Sequence, residues 1–147
     1  MRTRDLMVEY PTVALTDLAV DAARLLARSN LPGLIVVDGR GAPFAVLPGT
    51  QVLRLAVPVY CQDDPNLAAV IDEAAADVFL TELGDRTVRD CLPPQPHELP
   101  IVGPDDTVLE VAALMARTRT PLVAVVDHGT LVGAITLDRL LDRVLAV

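Results

Sequence analysis

The chain has 147 residues, a net charge of −8 and 52% hydrophobic residues, so it can bury a core and is not intrinsically disordered. All 12 basic residues are arginines, and the acidic excess argues against binding to nucleic acid polymers or anionic membranes. No segment approaches the roughly 20 apolar residues of a membrane helix, and the first residues lead into no apolar signal core. We therefore expect a cytoplasmic protein without membrane insertion.

The first part of the chain is predicted to contain a strand, a helix, two strands and a helix. Apolar residues recur at helical spacing from Leu18 to Leu26 and predict the longer helix. Pro32 ends it, because proline disfavours helical geometry in the residue before it. The predicted elements are, in chain order, Thr12 to Leu15, a helix from Asp17, Leu34 to Val37, Phe44 to Leu47 and Thr50 to Ala56.

The middle of the chain is predicted to form an additional helix from Pro65 to Leu83. Apolar residues fall at helical spacing along this stretch, and acidic residues occupy its outer face. We expect this helix to join two units, with domains at 1–62 and 87–147 and a connecting helix at 63–86.

The last part of the chain repeats the order of the first. Thr107 and Glu110 have the spacing of a capping box, in which the threonine accepts from a free backbone N–H and the glutamate reaches back. The predicted elements are Leu99 to Val102, a helix from Thr107, Leu122 to Val126, Leu131 to Thr136 and Leu137 to Leu145.

An internal repeat relates the two parts. Residues 17–38 align without a gap with residues 106–127, and Val36-Val37-Asp38 is identical to Val125-Val126-Asp127. Upstream, Arg4-Asp5 matches Arg89-Asp90. A unit of about 60 residues buries too little surface to be stable alone. The predicted fold is therefore α+β, with two β-α-β-β-α repeats packed around a pseudo-twofold axis.

The residue pattern of these repeats resembles that of a pair of cystathionine-β-synthase (CBS) domains. The resemblance rests on Val88 to Leu92, Asp105 to Val108, Pro121 to Asp127 and Gly129 to Leu141. It implies a non-catalytic regulatory module that binds an adenosine-type ligand (AMP, ADP, ATP or S-adenosylmethionine) between the repeats and signals to an effector protein. It also implies a homodimer.

The family's ligand signature is Gly-x-x-Thr/Ser-x-x-Asp after the third strand, and the second unit fits it in part. Gly133 and Thr136 match, but Arg139 stands in place of the aspartate and Asp138 lies one residue earlier. Thr136 is then a phosphate contact or an ordinary helix N-cap. For Asp138, the resemblance implies a contact with the ribose, and the alternative is a favourable interaction of its carboxylate with the N-terminus of the helix. Arg139 meets a phosphate, is solvated, or pairs with a neighbouring aspartate.

Four further residues complete the candidate ligand site of the second unit. The resemblance implies that apolar strand residues enclose the base, which gives Pro121, Leu122 and Val123. Because the protein is acidic, an anionic ligand needs local arginines, and Arg119 is such a residue beside Arg139.

The first unit departs further from the signature. Pro48 replaces the threonine and Gln51 replaces the aspartate, while Thr50 supplies a nearby hydroxyl. Proline suits the start of a helix but brings no hydroxyl. We expect this half to be an empty or altered site.

Neither a catalytic residue nor a metal site is predicted. His97, His128 and the cysteines Cys61 and Cys91 have no partners at metal-ligand spacing, and no nucleophile or phosphate-loop motif occurs. The predicted function is thus a ligand-binding regulatory module. The alternatives are a structural dimerisation module with degenerate ligand sites and, less in keeping with the motifs, a small nucleotide-acting enzyme.

Overall fold

Two three-stranded sheets, one from each half of the chain, organise the molecule in this computed structural model. The structure describes residues 1–29, 31, 33–56, 83–95 and 99–146. The first half comprises α1 (Thr3–Leu6), β1 (Thr12–Ala14), α2 (Ala19–Ser29), β2 (Gly33–Val37), β3 (Pro43–Pro48) and α3 (Gly49–Ala56). The second half comprises α4 (Val88–Cys91), β4 (Ile101–Val102), α5 (Val108–Thr118), β5 (Leu122–Asp127), β6 (Thr130–Thr136) and α6 (Leu137–Leu145).

The two sheets have the same topology. In each, the middle strand runs parallel to the first strand and antiparallel to the third. The first four residues of both middle strands, β2 and β5, are buried, which explains their unbroken apolar sequence. Both antiparallel pairs shift register at the same point of the repeat, between Val36 and Val37 and between Val125 and Val126.

Among the described residues, three groups of buried side chains form the core. The first joins the first sheet to α2 and α3 and includes Ala22, Leu34, Leu47 and Val52. The second joins the second sheet to α5 and α6 and includes Val111, Val123, Ile135 and Leu140. The third is shared between the halves and contains Tyr10, Ile35, Leu99, Leu122, Ala124 and Ala134. Each unit therefore buries apolar side chains against the other, which stabilises units that are too small to bury enough surface alone.

The short helices α1 and α4 each pack on the other half of the chain. The Thr3 N–H donates to the Asp106 carbonyl at 2.8 Å, and the Val88 N–H donates to the Asp17 carbonyl at 2.9 Å. Leu6 of α1 is buried in the second core, whereas Cys91 of α4 is buried in the first. The halves thus exchange their opening segments, a feature that the sequence does not predict.

The repeated aspartates hold the turns that receive these helices. Asp17 accepts a 2.9 Å hydrogen bond from the Ala14 N–H through its carboxylate, and Asp106 accepts one of 2.9 Å from the Gly103 N–H. Each carboxylate fixes its own turn, while the backbone carbonyl of the same residue accepts from the opposite half. Asp17 and Asp106, which occupy the same position of the repeat, therefore have the same structural role in the two halves.

The helix ends follow local rules. Thr107 caps α5 by accepting from the Glu110 N–H at 3.2 Å, which is one half of the predicted capping box. Arg119 ends α5 in the left-handed conformation, with φ of 56°, and its N–H donates to the Met115 carbonyl. Pro121 follows two residues later and cannot continue the helix.

The predicted fold class is confirmed, with small differences at the element ends. The strand predicted from Leu99 begins only at Ile101, because Pro100 has no N–H to donate to a ladder. Most of the helix predicted from Pro65 to Leu83 lies outside the described residues, as do Pro32 and the boundary expected at residue 62. Among the helices that the structure describes, none is both long and apolar enough to cross a membrane.

Candidate functional site

The edge of the second unit where β6 runs into α6 carries the best-matched part of the ligand signature. Thr136 is the N-cap of α6, and its hydroxyl oxygen accepts from the Arg139 N–H at 3.3 Å. This is the ordinary capping role that the sequence left open. The helix begins at the signature threonine, so its first free N–H groups face the same edge.

Arg139 holds the opening segment of the chain. Its Nε donates to the carbonyl oxygen of Leu6 at 2.8 Å, and this bond is partly buried. Arg139 forms no ion pair with Asp138 or Asp142 in the part of the chain that the structure describes. The side chain therefore links α1 to α6 through Nε.

A cavity of about 380 Å³, the charged cavity, lies beside the hydrogen bond between Arg139 and Leu6. Leu6 and Thr136 line it together with three aspartates and two arginines: Asp5, Asp138, Asp142, Arg139 and Arg143. The mixed charge can hold one anionic group close to the arginines. It opposes a ligand with several negative charges.

Other candidate residues lie elsewhere. Arg119 and Pro121 line a separate, mainly apolar cavity of about 460 Å³ between α5 and α6. Leu122 and Val123 are buried, Leu122 in the shared core and Val123 in the second core. The structure thus brings Thr136, Asp138 and Arg139 together, and places the remaining four candidates on another cavity or in the core.

A third cavity, the junction cavity, lies where the two halves meet, and the sequence did not predict it. It measures about 500 Å³ and is lined by Glu9, Tyr10, Pro11, Thr12, Ser29, Leu131, Val132 and Gly133. The first five come from the first half of the chain and the last three from β6. Only Gly133 of the ligand signature touches it, so the one sequence signal that could have located it was the signature's first residue.

Tyr10 forms the inner wall of this junction cavity. Its hydroxyl donates to the Gly33 carbonyl at 2.6 Å, and the ring lies in the core shared by the two halves. Burial raises the pKa of Tyr10 to about 12. The phenol is therefore a neutral, fixed hydrogen-bond donor at physiological pH.

Gly133 and Thr136, the two residues that match the signature, line different cavities. Between them, Ala134 pairs with Val8 in both directions: the Val8 N–H donates to Ala134 at 2.9 Å, and the Ala134 N–H donates to Val8 at 3.0 Å. A Cβ at position 133 would lie 3.0 Å from the Val8 carbonyl oxygen. The signature glycine thus permits the close approach of the opening segment.

The corresponding edge of the first unit has a different chemistry. Pro48 is the last residue of β3, and α3 starts directly at Gly49, so Thr50 lies inside the helix and exposed. Gln51 is half-buried. This edge carries neither the capping hydroxyl nor the arginine of the second unit.

The remaining polar candidates are histidines and cysteines. Across the described residues, there is no group of three histidine, cysteine or acidic side chains that could hold a metal ion. His128 is highly exposed in a turn, and burial, followed by the charge of Asp90, raises the pKa of the Cys91 thiol. His97 and Cys61 lie outside the described residues.

Comparison with known proteins identifies the family. The model of the CBS domain matches residues 88–146. The chain is similar, with 54% identity, 99% coverage of both chains and a TM-score of 0.92, to the crystal structure of a CBS domain-containing protein from Kribbella flavida DSM 17836. No curated protein matches it.

More distant structures share the fold alone. The crystal structure of CBSX2 in complex with AMP is 21% identical, with a TM-score of 0.68 and coverage of 99% of this chain and 96% of that one. A putative acetoin utilization protein (AcuB) from Vibrio cholerae is 18% identical, with a TM-score of 0.69 and coverage of 99% and 91%. On the sheet topology, the repeat and the 54% identical relative, the chain belongs to the family of CBS domain-containing proteins.

Proposed function

We propose that the protein is a non-catalytic regulatory module that binds an adenosine-type ligand where its two repeats meet and signals to a partner protein. One observation carries the proposal: Gly133 lines the junction cavity and Thr136 lines the charged cavity, so two signature residues three positions apart on β6 each contribute to a cavity. Volumes of about 500 and 380 Å³ are in the range of small-molecule sites.

The distribution of polar groups suggests how such a ligand would be oriented. The junction cavity, walled by Tyr10 and Pro11, would receive the base. The charged cavity, with Arg139, Arg143 and the start of α6, would receive an anionic or carboxylate group.

The same charges suggest which ligand fits best. Three aspartates line the charged cavity with the two arginines, so each additional phosphate meets repulsion. We therefore expect AMP or S-adenosylmethionine to bind more tightly than ADP or ATP. The complex of CBSX2 with AMP supports this class of ligand for a protein of the same fold.

A homodimer is part of the proposal. Apolar side chains are exposed along α3 and α6, among them Leu53, Leu141, Val144 and Leu145. Burial of such a face between two copies would account for their exposure. Light scattering should then give a mass near twice the 15.7 kDa of the chain, and a mass near that of one chain would contradict the dimer.

A structural dimerisation module with degenerate ligand sites is the second candidate. Two observations favour it: Arg139 is already engaged by the Leu6 carbonyl, and Pro48 removes the hydroxyl from the first site. This candidate predicts a dimer that is indifferent to every nucleotide.

Thermal shift separates the two candidates. A ligand at about 100 times its Kd should raise Tm by roughly 5–10 °C for a chain of this size. We would compare AMP, ADP, ATP, S-adenosylmethionine and NADH, and incubate each with the protein to test for turnover. Thr136→Ala should weaken the shift, whereas Thr50→Ala, in the first unit, should leave it intact. Absence of a shift with all five would contradict the sensor and favour the structural module.

A further inference from the structure

We propose that Met7 and Val8 form a gate over the second-unit site, which opens when ligand binds and which the first unit lacks. The inference rests on the proposed function, since it names how access to that same site is regulated. The gate is the end of the opening segment that crosses from the first half of the chain to the second.

The gate occupies the part of β6 that a ligand spanning both cavities would need. Both backbone groups of Ala134 are bonded to Val8, at 2.9 and 3.0 Å. Ala134 lies between Gly133, which lines the junction cavity, and Thr136, which lines the charged cavity. Val8 likewise lies between Leu6, which lines the charged cavity, and Glu9, which lines the junction cavity, so we expect a ligand that extends from one cavity into the other to displace the Val8 backbone.

The segment is anchored on both sides of the gate. Leu6 is buried in the second core, and its carbonyl accepts from Arg139. Tyr10 is buried in the shared core and is bonded to Gly33. Val8 is only half-buried and Glu9 is exposed, so little side-chain packing is lost if the paired bonds between Val8 and Ala134 break while the anchors stay in place.

The first unit cannot form the same gate. Thr3 and Val88 occupy equivalent positions, since each donates to the carbonyl of a repeated aspartate. Counting forward from them, Val8 corresponds to Pro93. Proline has no N–H, so it cannot make the paired bonds that Val8 makes with Ala134.

This correspondence supplies a variant for which the preceding residue already has a suitable conformation. Met7 has φ of −65° and ψ of 149°, and Leu92, which precedes Pro93, has φ of −76° and ψ of 139°. Both are in the extended region that a residue before proline requires. Val8→Pro therefore gives the second unit the opening segment of the first, and Pro93→Val is the matched control.

The experiment is calorimetric titration of AMP into the full chain, the Val8→Pro variant and the Pro93→Val variant. If the gate must open, loss of the paired bond should tighten AMP binding by about fivefold, and the Pro93→Val variant should bind like the original chain. Equal or weaker binding by a folded Val8→Pro variant would overturn the gate and leave the ligand site standing.

A second measurement does not depend on the variant folding. In the unmodified chain, AMP should speed hydrogen exchange at the Ala134 amide, while exchange at the Val88 amide should stay the same. Unchanged exchange at Ala134 on saturation with AMP would overturn the gate alone. Failure of AMP to bind either the unmodified chain or the Val8→Pro variant would overturn both the gate and the proposed AMP site.

Discussion

Arg139 Nε donates a 2.8 Å hydrogen bond to the carbonyl oxygen of Leu6, which lies 133 residues earlier in the chain. The arginine stands where the ligand signature of the family has an aspartate, so one substitution both changes the charge of the site and attaches the opening segment to it. The second repeat is thereby closed by residues of the first, and ligand binding and the packing of the repeats involve the same side chain.

Replacement of Arg139 by alanine should loosen this attachment. We expect Arg139→Ala to lower the free energy of unfolding by about 1 kcal/mol, since one hydrogen bond from a charged donor is lost at a partly exposed position. Amide exchange in α1 should also become faster. Denaturant unfolding and hydrogen exchange would measure both effects. Arg143→Ala, which removes another exposed arginine of the same cavity, is the control, and equal losses in the two variants would argue against the attachment.

Gly33 should not tolerate a side chain. A Cβ at this position would lie 2.9 Å from the backbone oxygen of Leu47 on the neighbouring strand. We expect Gly33→Ala to destabilise the protein by about 1–3 kcal/mol, as overpacking of a close-packed core does. Gly39→Ala is the matched control, because nothing lies within 4 Å of its Cβ position. Thermal unfolding would compare the Tm values of the two variants. Similar Tm values would show that β3 can shift to accommodate the added methyl group without a loss of stability.

Tyr10 should make stability depend on alkaline pH. Burial raises its pKa from 10.0 in the unfolded chain to about 12 in the folded one. The neutral phenol is thus favoured by folding, and its contribution is complete below about pH 10 and is lost as the pH rises through 12. Unfolding free energies across this window should fall less steeply for Tyr10→Phe than for the original chain. Parallel curves would mean that Tyr10 titrates normally.

Asp38 should have the opposite dependence, at acid pH. Its carboxylate accepts from the Arg40 N–H at 2.8 Å and the Ala42 N–H at 3.0 Å, and these bonds hold its pKa below the usual 3.8. The ionised form is favoured by folding, so its contribution is present above 3.8 and is lost as the pH falls through the lowered value. The stability gap between the original chain and Asp38→Ala should narrow on acidification. A gap that stays constant down to low pH would rule out this role.

Much of the fold followed from short-range patterns. The strands predicted at Leu34 to Val37 and Leu122 to Val126 are present as β2 and β5, and the repeat of residues 17–38 at 106–127 predicted two like units. Thr136 was expected at the start of α6 and caps it. These features depend on residues a few positions apart, where periodicity and capping act.

The candidate site was only partly predictable. Thr136, Asp138 and Arg139 do line one cavity, but Arg119 belongs to another, and Leu122 is enclosed in the shared core. The sequence shows only that all of these residues lie close to the last two strands along the chain. Which of them face a common cavity depends on how the second sheet packs against α6 and against the first half of the chain.

The sequence by itself determined two α+β repeats, their strand and helix order and their membership in a family that pairs such units. The tertiary structure decided that α1 and α4 exchange places between the halves, that Arg139 meets Leu6, and that Val8 lies across Ala134. The physical reason is range: helix periodicity and caps act over three or four residues, whereas each of these contacts joins segments more than sixty residues apart. Such contacts form only when two units, each too small to bury its own core, pack against one another.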